Sequence, residues 1–150
     1  MRRAERRMKV DIDESVIGKT SEIQQFIVEE AAILAFARAI GDQHPLYTDR
    51  DIARAYGYPA IVAPPTFPTT FRFAYPPVPY EPSRSIHGEQ EYRYERPIVA
   101  GDVLICLSRV VGVKVRHGKL GKMTLLTTEI RGADPEGRLV FTGVSTVILR

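Results

Sequence analysis

One cysteine, three histidines and no long apolar run set the first limits on this chain. A lone Cys106 excludes an internal disulfide and any cysteine-based metal cluster. It sits in the apolar run 103–107, where a buried structural thiol is the expectation and a nucleophile the competing reading. A reducing cytoplasm is therefore the expected compartment. No apolar stretch approaches the ~18 residues that a membrane span needs, so no membrane segment is expected. His44, His87 and His117 show no short metal-ligand spacing, and no metal or other cofactor is implied. There is no internal repeat and no low-complexity tract.

Excess charge is also scarce once it is located. Arg2, Arg3, Arg6 and Arg7 against Glu5 account for the whole net charge of +3, and the rest of the chain is balanced. That balance argues against a nucleic-acid partner, with a phosphate-gripping basic arm as the competing reading. The basic start lacks the apolar stretch of a signal peptide. Residues 1–17 are expected to be a basic, disordered tail, with initiation at Met8 as an alternative start. Residues 18–150 are expected to form one domain. With 150 residues, 44% of them hydrophobic and 26% charged, the chain can bury a core of its own.

Residues 21–28 read as an extended lead-in and residues 29–40 as a helix. Ile33, Phe36, Ala37 and Ile40 share one face at helical spacing, and Gly41 is the stop. Thr48 or Asp49 can cap a short second helix that runs through Tyr56 and closes at Gly57. Prolines then crowd the chain at 64, 65, 68, 76, 77, 79 and 82, which excludes a sheet interior there. Residues 66–74 are expected to be a helix begun by Pro65, and residues 76–85 an irregular surface loop. From Ile86 onward the period becomes that of strands: Gln90, Tyr92 and Tyr94 alternate with Glu89, Glu91, Arg93 and Glu95. Strands over 103–115, 123–130 and 139–149 follow, joined by turns at 117–121 and 134–137. Helices first and an antiparallel meander afterwards make an α+β domain.

Four segments carry a family resemblance: Phe36-Ala37-Arg38-Ala39-Ile40-Gly41-Asp42, Pro45-Leu46-Tyr47-Thr48-Asp49, Ile61-Val62-Ala63-Pro64-Pro65-Thr66-Phe67 and Arg96-Pro97-Ile98-Val99-Ala100-Gly101-Asp102. In this order they resemble the MaoC-like hydratases and dehydratases, in particular the fatty-acid-synthase-type, or N-terminal MaoC, dehydratase domains. The resemblance implies the hot-dog fold, a curved antiparallel sheet wrapped around a central helix. It also implies an acyl thioester of coenzyme A or acyl carrier protein as ligand, and (R)-3-hydroxyacyl-thioester dehydration or enoyl-thioester hydration as reaction. A homodimer, or a heterodimer with a related hot-dog subunit, would cover the open sheet edge.

The family's motif reads Gly-Asp-x-Asn-Pro-x-His, its aspartate and histidine holding one water for general acid–base work. Asp42 matches the aspartate. His44 falls at the asparagine and Tyr47 at the histidine. Pro65 falls at the glycine whose N–H receives the enolate-like oxygen in the family. Tyr47 near neutral pH can donate a hydrogen bond but is a poor base, and Pro65 has no N–H to offer. Thr66 N–H is the expected replacement. His44 beside Asp42 either activates water from a shifted position or hydrogen-bonds the loop backbone. Asp42 itself has a plainer reading, satisfying loop amides after Gly41. His87 either borders the substrate tunnel or is a solvated strand-end side chain. Phe71, Phe73, Tyr75 and Tyr80 either line an acyl tunnel or belong to the core, while Asp102 reads as a strand-entry residue and His117 as an exposed turn residue. Three functions compete: a dehydratase acting alone or in a heteromer, a non-catalytic acyl-binding half, and a thioesterase. The last would need a carboxylate on the helix over 66–74, which has none.

Overall fold

The computed structural model describes residues 11–150. The arginine-rich start falls outside the described residues, so the tail expectation is addressed only from Asp11 onward. Five strands form one antiparallel sheet: β1 Gln24–Ile27, β2 Ser85–Tyr94, β3 Val103–Gly118, β4 Gly121–Ala133 and β5 Leu139–Leu149. Their order across the sheet is β1-β3-β4-β5-β2. The long meander β3–β4–β5 is local in sequence, and β1 and β2 add to its two sides. Turn chemistry sets the meander's register. Lys119 and Leu120 alone join Gly118 to its partner Gly121, so the first turn is tighter than the five residues expected. At the second, the Asp134 carboxylate accepts from the Glu136 and Arg138 backbone N–H groups.

Three α-helices precede β2: α1 Glu30–Ala39, α2 Pro45–Thr48 and α3 Arg50–Ala55. α1 ends in a Schellman arrangement, with Gly41 at φ 72°, its N–H on Arg38 O and the Asp42 N–H on Ala37 O. α3 ends the same way, with Gly57 N–H on Arg54 O and Tyr58 N–H on Ala53 O. Asp49 caps α3 by accepting from Asp51 and Ile52 N–H, as its sequence position suggests. α2 was not expected from the sequence. Pro45 supplies its first residue and His44 its cap.

The inner face of the sheet is covered by Ile33 of α1, by Ile61 and Ala63, and by Phe67. They join Leu104, Cys106, Ile130 and Phe141 in one buried cluster. Across the strands Gly132 opposes Phe141 and Gly143 opposes Tyr92; each glycine leaves room for the ring on its neighbour. Cys106 is buried, and that burial pushes its thiol up to about 12. This is the hot-dog arrangement, with α1 and an aromatic segment lying in the roll.

One expectation needs correction. The helix over 66–74 shrinks to a 3-10 helix, Phe67–Thr70, with Phe71 already extended. The Thr69 and Thr70 hydroxyls bond back to Thr66 O and Phe67 O, competing with helical N–H groups. Phe71 and Phe73 then pack on Phe26 of β1, at ring separations of 4.7 and 5.4 Å. Packing is also seen ahead of the expected boundary at Gly18. Ile12 and Val16 are buried against Val110, Val113 and Leu126, so the body of the fold reaches back to the first described residues. Among the described residues no helix is long and apolar enough to cross a membrane.

Candidate functional site

Asp42 and His44 lie on the loop from α1 to α2, and Tyr47 follows within α2. The Schellman end of α1 holds the Asp42 backbone and leaves its carboxylate exposed. The His44 and Tyr47 rings lie 5.5 Å apart. Partial burial raises the Tyr47 phenol above its ordinary value, and the nearby Asp42 charge adds to the shift. A phenol held so is a hydrogen-bond donor across the neutral range. His44 Nδ1 accepts from Leu46 N–H at 3.2 Å, capping α2. The neutral ring then carries its proton on Nε2 and presents a donor there, so it cannot accept a proton at that atom while the cap stands.

This loop is tied to the segment that follows by Val62 N–H donating to Leu46 O at 2.8 Å. That segment also bonds the 96–102 loop, through Ala63 N–H to Ile98 O and Ala100 N–H to Ile61 O. Arg96 grips Asp102 in a two-pronged ion pair at 2.8 and 3.0 Å, and Asp102 also accepts from Val99 N–H. Asp102 is thus a buttress for the loop. Pro65 and Thr66 are exposed at the entry to the 3-10 helix. Pro65 O accepts from the Tyr94 hydroxyl, a contact the sequence did not suggest. Phe67 N–H is committed to Pro64 O, whereas Thr66 N–H makes no hydrogen bond among the described residues.

His87 stands apart from these groups. It lines a cavity of about 510 Å³ between the inner face of the sheet and the chain from Pro68 to Tyr80. Phe71, Phe73, Tyr75 and Tyr80 all line it; Phe71, Phe73 and Tyr80 also pack on the core, whereas Tyr75 is largely exposed. Its floor includes Gln90, Ser108, Thr128 and Ser145, none of which the sequence marks as functional. The available signal was their polarity at inward-facing positions of otherwise apolar strands. The 3-10 helix joins the two regions: it starts beside Thr66, and its Pro68 and Thr69 reach the cavity. Among the described residues no three His, Cys, Asp or Glu side chains come together as metal ligands.

The family model described as "FAS1-like, dehydratase domain region" matches residues 15–143. The chain belongs to the FAS1-like dehydratase family. Within it, a UPF0336 protein of Clavibacter michiganensis is 37% identical over 132 residues, covering 83% of this chain and 86% of that protein. A UPF0336 protein of Thermobifida fusca is 34% identical over 147 residues, covering 93% and 94%. Among solved structures, the C-terminally truncated HadBC (3R-hydroxyacyl-ACP dehydratase) complex from Mycobacterium tuberculosis superposes with a TM-score of 0.74 at 26% identity. The match covers 89% of this chain and 96% of that one. A MaoC-like dehydratase matches with a TM-score of 0.76, also at 26% identity, over 91% of this chain and 42% of its own length. The five-stranded antiparallel sheet of this FAS1-like dehydratase-family chain is thus the hot-dog sheet of the MaoC-like dehydratases.

Proposed function

We propose that this protein binds acyl thioesters of coenzyme A or acyl carrier protein as the chain-holding subunit of an (R)-3-hydroxyacyl-thioester dehydratase, in the cytoplasm. The observation that carries this reading is the tyrosine in place of the family's histidine, its phenol raised, beside Asp42 and on a frame that also encloses a cavity. Dehydration needs a base to take the proton from C2 of the thioester. The C3–O bond then breaks, and a proton given to the departing hydroxyl releases water. Tyr47 is a poor base, and His44 is engaged in its cap. Thr66 N–H remains a candidate donor to the thioester oxygen in place of Pro65. A partner subunit bearing the complete Asp…His pair would supply the missing base. Such a pairing has support in the HadBC complex, itself an assembly named for two components. β2, ten residues long at one side of the sheet, offers an edge for that partner to cover.

The test is the loss of enoyl-thioester absorbance from crotonyl-coenzyme A. The chain alone is expected to give no turnover, and a hot-dog partner carrying the Asp-x-Asn-Pro-x-His motif is expected to restore it. Turnover by the chain alone that disappears in Asp42→Ala and His44→Ala would replace this reading with that of a self-sufficient hydratase.

A further inference from the structure

The inner face of the sheet is mostly apolar, with its polar side chains densest at one level. Register aligns Gln90 of β2, Ser145 of β5 and Thr128 of β4 directly across neighbouring strands. The row on one side holds Tyr92, Gly143 and Ile130, and the row on the other His87, Val147 and Leu126. Ser108, opposite Ile130 on β3, extends the polar row diagonally. All four polar residues line the cavity. Inward positions of a core-facing sheet are normally apolar, so a polar row here departs from the pattern of its own strands.

The hydroxyls of this set are not used to hold the fold together. Ser108 keeps only 3% of its surface exposed, yet it bonds Ser21 through its backbone N–H and carbonyl rather than its hydroxyl. Among the described residues the hydroxyls of Ser108, Thr128 and Ser145 have no hydrogen-bond partner. No side-chain nitrogen or oxygen there is both sealed off and unpartnered, so these hydroxyls open into the cavity they line. The Gln90 amide nitrogen donates to Glu91 O and Val144 O, which leaves its side-chain oxygen free to accept. Covering such groups with an apolar occupant is costly, so whatever fills the cavity must hydrogen-bond at this level. The row presents groups that both donate and accept beside one acceptor, which suits an alcohol. Tyr94, whose hydroxyl bonds Pro65 O, lies four residues along β2 from Gln90, about 14 Å at the strand's ~3.4 Å per residue.

We infer that the cavity selects an acyl chain carrying a hydroxyl on its distal part, with Gln90, Ser108, Thr128 and Ser145 as the specificity-determining residues. This rests on the reading of the protein as an acyl-thioester binder. A plain alkyl chain would strip the polar row of water without replacing its hydrogen bonds, and so binds less well.

Binding to the full chain of two pantetheine thioesters, dodecanoyl and 12-hydroxydodecanoyl, tests it by calorimetry. Pantetheine is the arm common to both carriers. The hydroxylated probe is expected to bind about tenfold more tightly, as a hydrogen bond or two would give. Thr128→Val with Ser145→Ala is expected to erase that preference while binding the plain chain as well or better. Retained binding of the plain probe also shows that the double variant is folded. Equal or tighter binding of the plain probe by the unaltered protein overturns the inference and leaves the thioester reading standing. A preference that survives the double variant overturns the assignment of these residues. Failure of both probes to bind overturns the thioester reading and the inference that rests on it.

Discussion

At the scale of single residues, chemistry turns on what occupies position 47 and what His44 is already doing. A phenol raised by burial and by Asp42 stays protonated, so it can orient a water or a carbonyl but not take a carbon-bound proton. Tyr47→His places an imidazole, with an ordinary pKa of about 6.5, beside the same carboxylate. That variant alone is expected to acquire weak crotonyl-coenzyme A hydration, its rate rising from about pH 5 to about pH 8 as the imidazole loses its proton. A Tyr47→His protein as inert as the unaltered chain at every pH would mean that Asp42 and residue 47 do not face a bound thioester. The same change is expected to leave stability within about 1 kcal/mol, because Tyr47 is only partly buried.

At the scale of elements, glycine positions separate backbone strain from steric fit. Gly41 sits at φ 72° with open space where a Cβ would project, so Gly41→Ala is penalised by its left-handed backbone alone, at about 1 kcal/mol. Gly132 has ordinary strand backbone, but an added Cβ would overlap the ring of fully buried Phe141. Gly132→Ala is therefore expected to cost more, about 2–3 kcal/mol, since the ring has nowhere to go. Urea denaturation of the two variants measures the order, and a larger loss for Gly41→Ala would contradict it. The 3-10 helix at Phe67–Thr70 illustrates the same contest. Local pattern favours a helix through Ala74, but stacking of Phe71 and Phe73 on Phe26 draws the chain out.

At the scale of the whole molecule, one buried thiol and three partly buried phenols tie stability to alkaline pH. Burial pushes the Cys106 thiol from 9.0 up to about 12. Burial likewise raises the phenols of Tyr80 and Tyr92, and that of Tyr94 further, each from 10.0. Each group holds its proton more tightly folded than unfolded. Their contribution is complete below the unfolded values, so no loss is expected below about pH 9. As pH climbs from about 9 toward about 12 the unfolded chain sheds protons that the native state keeps, and stability falls. The urea midpoint is expected to be flat from about pH 7 to about pH 8.5 and to drop by about pH 10.5. Cys106→Ala should lower the midpoint at neutral pH through lost packing, yet show a smaller drop above about pH 9. An undiminished drop in that variant would remove the thiol from the account.

Much of this protein was legible from residue order alone, because it rests on local rules. The period-2 run through Tyr92 and Tyr94, the glycine stops at 41 and 57, the Asp49 cap and the turn at Asp134 each follow from neighbours a few positions away. The family motifs were legible for the same reason, and with them the substitution of Tyr47 for histidine. What tertiary structure decided depends on partners far apart in the chain. Phe26 contacting Phe71 turned an expected helix into an extended segment. Burial of Ile12 and Val16 drew the basic start's neighbours into the fold. Thr128 and Ser145 came side by side, with Ser108 diagonal to them, only when three strands set their register, since no spacing along the chain records which residues will lie side by side across a sheet.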